Sequence, residues 1–77
     1  MRNIWVYKYK VEDRHSGDEI YYQEFICTSK EEAMKQLKTD YARDASDFEM
    51  IEGVFSDCRA SHTSKDGYYI QYRVFTV

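Results

Sequence analysis

The sequence predicts an α+β domain in which one helix packs on one face of a four-stranded antiparallel sheet, in the order ββαββ. Three observations predict it. Period-two alternation runs through segments near both ends of the chain, and a single stretch between them has helical spacing behind a capping signal. The three glycines fall at polar breaks or a presumed bulge, and no proline interrupts an element, so local and global signals agree.

Residues 4–11 alternate, with Trp5, Tyr7, Tyr9 and Val11 on one side and Ile4, Val6, Lys8 and Lys10 on the other. Arg14-His15-Ser16-Gly17-Asp18 is a polar break whose glycine can take a positive φ, and residues 20–28, rich in Tyr, Phe and Ile, complete a first hairpin. Ser29 followed by Glu32 matches a capping box and predicts a helix over about residues 30–43. Its apolar stripe is narrow: Ala33, Met34, Leu37 and Tyr41. Residues 48–60 read as a third strand in which Gly53 marks a bulge, residues 61–67 as a polar turn, and residues 68–77 as a last strand. In that strand Tyr68, Ile70, Tyr72 and Val74 oppose Tyr69, Gln71, Arg73 and Phe75.

Seventy-seven residues make one domain, residues 1–77, with a thin core. Eight Tyr, four Phe and one Trp must supply the apolar area that leucine usually provides, since Leu37 is the sole leucine. The net charge of −3 argues against nucleic acid as the partner. No apolar run is long enough to span a bilayer, and Met1-Arg2-Asn3-Ile4-Trp5 leads into a strand pattern without a signal-peptide core, which places the chain in the cytoplasm with no membrane contact. In that compartment Cys27 and Cys58 are thiols.

The motifs of catalysis are missing. Cys58 and His62, with Cys27 and His15, resemble only half of a zinc-ligand spacing, so no metal or other cofactor is expected. A Cys58–His62 nucleophile pair would need an orienting third group and a Gly-rich oxyanion turn, and neither is present. Glu12-Asp13 and Asp18-Glu19 sit in a solvated turn where nothing shifts a carboxylate toward acid–base work. The chain therefore reads as a binding protein and not as an enzyme.

One helix covers one face of a sheet, so the opposite face must meet water, a second copy or a ligand. Charge adds a second feature, because residues 40–57 carry six acids and one base. By size, aromatic content, strands at both ends and this acidic run, the chain is similar at the level of class to small phage-encoded inhibitors such as anti-CRISPR and host-takeover proteins. That resemblance implies an inhibitor that docks on a nucleic-acid-handling protein complex. In this reading Asp44, Asp47, Glu49 and Glu52 make electrostatic contacts and exposed tyrosines act as anchors. An alternative is single-stranded nucleic acid stacked on Tyr7, Tyr9, Tyr69 and Tyr72, with Lys8, Lys10 and Arg73 on its phosphates. A third reading pairs the open faces of two copies into a homodimer.

Overall fold

The computed structural model describes residues 4–77. The leading segment, with Met1, Arg2 and Asn3, lies outside them. The elements are β1 (Trp5–Asp13), β2 (Glu19–Cys27), α1 (Lys30–Asp47), β3 (Met50–Ser56), β4 (Arg59–Ser64) and β5 (Tyr68–Thr76). All strands pair antiparallel in one sheet of order β2-β1-β5-β4-β3, with α1 against one face and packed chiefly on β1 and β5. The fold is α+β with the order ββαβββ, five strands where the sequence pattern predicts four.

The extra strand comes from residues 48–60, which form a hairpin and not one long strand. The chain reverses at Asp57 and Cys58, and Ser56 stands opposite Arg59. Neither turn residue has a positive φ, so the reversal is made without the glycine or asparagine that usually marks a hairpin. The irregularity in β3 pairing lies between Met50 and Glu52, not at Gly53. Gly53 is small for another reason: a Cβ there would meet the Tyr41 hydroxyl and Met50 Sδ, each at 2.5 Å.

Ser29 caps α1 by accepting the Glu32 N–H at 3.1 Å. The carboxylate of Glu32 answers at Thr28, bonding its backbone N–H and its hydroxyl, one residue before the position a capping box specifies. The helix then runs four residues past Arg43. Its buried stripe is Ala33, Leu37, Asp40 and Asp44, a continuous helical progression whose second half is made of carboxylates.

Against that stripe the sheet sets Tyr7 and Tyr9 of β1, Ile70, Tyr72 and Val74 of β5, and Ala60 of β4. Each aliphatic side chain buried here contributes roughly 1.5–3 kcal/mol. The rings interlock edge to face, Tyr72 with Tyr9 at 5.5 Å and with Tyr41 at 5.4 Å between centroids.

Between α1 and β3, Glu49 holds φ at +48°, a left-handed conformation that costs a side-chain-bearing residue about 1–2 kcal/mol. Its carboxylate lies 3.6 Å from the exposed Lys65. Glu49→Gly is expected to stabilise the protein by about 0.5 kcal/mol, read from the urea midpoint, because relief of that conformation exceeds the entropy glycine loses and the surface ion pair is worth little.

Candidate functional site

Strand pairing assigns every sheet residue to one of two faces. Tyr7 pairs with Phe25 and Val74, and Tyr9 with Gln23 and Tyr72, so these residues share the helix side. Lys8 pairs with Glu24 and Arg73, and Lys10 with Tyr22 and Gln71, so these share the other. Among the described residues no element covers this second face.

The helix side holds a polar network inside the core. Asp44, 1% exposed, accepts from Tyr9 at 2.7 Å and Tyr72 at 2.8 Å through Oδ2, and from Arg43 Nε at 3.0 Å through Oδ1. Asp40 accepts from Tyr7 at 2.8 Å and from Arg43 at 3.1 Å. Arg43 thus pairs with two buried carboxylates from the rim of the core, one positive charge against two negative. Desolvation, then the bonds to Asp40 and Asp44, push the phenols of Tyr7, Tyr9 and Tyr72 far above their ordinary value of 10.0.

His62 adjoins this network. Since Tyr72 gives its proton to Asp44, its oxygen accepts from His62 Nδ1 at 3.1 Å, which leaves Nε2 as the unprotonated nitrogen, buried without a partner among the described residues. Burial lowers the imidazole below its ordinary 6.5, against the opposing pull of Asp44. His62 is a core residue and not a turn residue. His15, by contrast, lies in the β1–β2 turn with its ring against Gly67. Cys27 is buried and Cys58 half-buried, both as free thiols. Among the described residues no group of three His, Cys, Asp or Glu side chains is placed to hold a metal ion, and no helix is long and apolar enough to cross a membrane.

The tyrosine shifts have a consequence at high pH. Above pH 10 the unfolded chain releases phenolic protons that the folded protein retains, so the native state binds more protons and stability falls as pH rises. With three such phenols the slope approaches about 4 kcal/mol per pH unit. Urea unfolding followed between about pH 9 and 12 is expected to show this loss.

These contacts correct four of the sequence-based site residues. Tyr7, Tyr9 and Tyr72 are buried beneath α1 and are not anchors for a partner, and Asp44 is the acceptor at the centre of the core, not a surface charge. The remaining acids do not form one patch. Asp47 is exposed at the end of α1, Glu49 sits in the following turn beside Lys65, and Glu52, opposite Thr63, lies on the open face of β3.

The open face gathers Tyr69, Lys8, Lys10 and Arg73, which the nucleic-acid reading of the sequence joined, with Arg59, which it did not. Lys8 stands opposite Arg73, and Arg73 stands opposite Arg59, giving a row of three cations across β1, β5 and β4. Neighbouring strands lie about 4.8 Å apart, so the row spans roughly 10 Å. Among the described residues none of the three has a carboxylate within 4.0 Å, whereas Lys10 is paired with Glu12 at 2.8 Å. The row floors a groove of about 410 Å³ lined also by Lys10, Tyr69 and Gln71.

Aromatic faces border the cations. Lys8 lies over Tyr22 at 5.3 Å, Arg73 over Phe75 at 5.1 Å and Arg14 over Tyr69 at 5.6 Å. Like charges placed directly opposite across strands destabilise a sheet, so the Lys8–Arg73 and Arg73–Arg59 pairs lower stability, while Glu24 on β2 stands opposite Lys8 at the end of the row.

No family model, curated protein or solved structure matches the chain. What the fold and the surface define is a small α+β domain with a tyrosine–carboxylate core and one uncovered, cation-bearing sheet face.

Proposed function

We propose that this protein is a non-enzymatic binding module whose helix-free sheet face grips an anionic chain, single-stranded nucleic acid. The observation that carries this reading is the unpaired Lys8–Arg73–Arg59 row, set in a groove beside Tyr69. A phosphate backbone offers repeated charges to such a row, and the rings at its margin offer planar surfaces to unstacked bases. The open face also carries Glu24, opposite Lys8, and Glu52 on β3, but two of the 14 acids, Asp40 and Asp44, are buried under α1 and another, Glu12, lies against Lys10, so the overall charge of −3 is not concentrated at the row.

A fluorescence-anisotropy titration with a labelled single-stranded oligonucleotide tests the reading. Three phosphate contacts predict that log K falls with log salt at a slope of roughly −2. No binding at low salt, or binding insensitive to salt, contradicts it.

A second reading is an inhibitor that docks on a nucleic-acid-handling protein complex, the behaviour implied by the class-level similarity to phage-encoded inhibitors. It is supported by β3, where Ile51, Val54 and Phe55 are exposed with Glu52 among them. Apolar anchors ringed by polar contacts suit a protein partner. Substitutions at Ile51 and Phe55 would then abolish capture of that complex and leave oligonucleotide binding untouched.

A further inference from the structure

The sheet has two free edges, β2 and β3, and they differ. Natural edge strands avoid association through shortness, bulges, prolines or lysines. β3 has seven residues and an irregularity at Met50/Glu52 that interrupts its pairing. β2 has nine residues, contains neither lysine nor proline, and its pairing with β1 is regular from Tyr21 to Cys27, the one shift lying at its start, between Val11 and Glu12, where Ile20 has no partner on β1. Its Ile20 and Ile26 are 53% and 72% exposed, and Tyr21 and Tyr22 are exposed beside them.

We propose that β2 pairs antiparallel with β2 of a second copy of this chain, with Gln23 on the two-fold axis. The strand is complementary to itself about that residue. Reversed on Gln23, it sets Ile20 opposite Ile26, Tyr21 opposite Phe25, and Tyr22 opposite Glu24 of the second copy. Other symmetric registers are worse. Centring on Tyr22 puts Ile20 against Glu24 and Phe25 against Glu19, and centring on Glu24 puts that carboxylate against itself. Charge and hydrophobic matching together select one register.

The geometry of this dimer follows from its axis, which must stand normal to the sheet for two antiparallel copies of one strand. Both helices then lie on one side of a continuous ten-stranded sheet, and the two open faces join on the other. The cation row of each copy begins at β1, three strand spacings from β1 of the other, roughly 14 Å. A single anionic strand could then contact both rows, with the gain in avidity that two linked sites provide.

Sedimentation equilibrium on the full chain tests the proposal. The wild type is expected to sediment as a dimer, and Gln23→Lys, which alters an exposed side chain, is expected to weaken dimerisation by about tenfold through facing lysines, with unchanged circular dichroism. Mixing Gln23→Lys with Gln23→Glu is expected to restore dimers. A wild type that stays monomeric at about 1 mM overturns the proposal, as does a dimer indifferent to Gln23→Lys but dissolved by Val54→Lys on β3. Oligonucleotide binding by the Gln23→Lys monomer reports on the open-face reading separately, so the two ideas fail independently.

Discussion

Asp44→Ala is expected to destabilise the protein by about 3–5 kcal/mol, a large share of the roughly 5–15 kcal/mol available to a domain. The substitution removes the carboxylate oxygen to which the buried Tyr9 and Tyr72 hydroxyls donate, leaving Tyr72 with His62 alone, and it leaves Arg43 with Asp40 alone. Asp44→Asn keeps the shape and one acceptor oxygen, so its cost should be smaller, about 1.5–3 kcal/mol. Asp47→Ala, three residues along the same helix and exposed, should change stability by less than about 0.5 kcal/mol. Urea titrations of the three variants check the series. A ranking in which Asp47 matters as much as Asp44 would contradict the core network.

The Arg59→Gln/Arg73→Gln double variant is expected to lose oligonucleotide binding by on the order of a hundredfold while keeping or raising stability. Arg59 and Arg73 are exposed, face each other across β4 and β5, and have no carboxylate within 4.0 Å among the described residues. Removing their repulsion should contribute roughly 0.2–1 kcal/mol to the fold. Few structural residues behave this way, because most substitutions that abolish a function through the fold lower the unfolding midpoint. Stability that fell with binding would mean that the row serves the sheet itself.

The first hairpin, the helix start and the alternation of the last strand were legible because each rests on a local rule: period two in Trp5 to Val11 and in Tyr68 to Val74, and the Ser29 cap. What was not legible depends on partners distant in sequence. Asp40 and Asp44 continue the spacing of Ala33 and Leu37, but a search for apolar residues ends the stripe and reads them as surface charge. Their burial follows from three tyrosines on β1 and β5 whose hydroxyls require acceptors once inside. A tyrosine-rich face opposite a helix with aspartates at helical spacing was the available signal. The Asp57-Cys58 reversal carried no turn residue, so Arg59 remained hidden in a presumed long strand. Without the β4 register its place beside Arg73 could not be deduced. The open face itself was foreseeable from one helix and one sheet, whereas the particular rings on it were not, since Tyr69 falls on the open side and Tyr72 on the helix side.

Amide chemical-shift mapping by NMR during titration with an unlabelled single-stranded oligonucleotide bears most directly on the division of the sheet into a core face and a contact face. The predicted result is a continuous set of perturbed amides at Lys8, Arg59, Tyr69, Gln71 and Arg73, with the exposed positions of α1 silent. Perturbations centred on α1, or none at any oligonucleotide concentration, would contradict it.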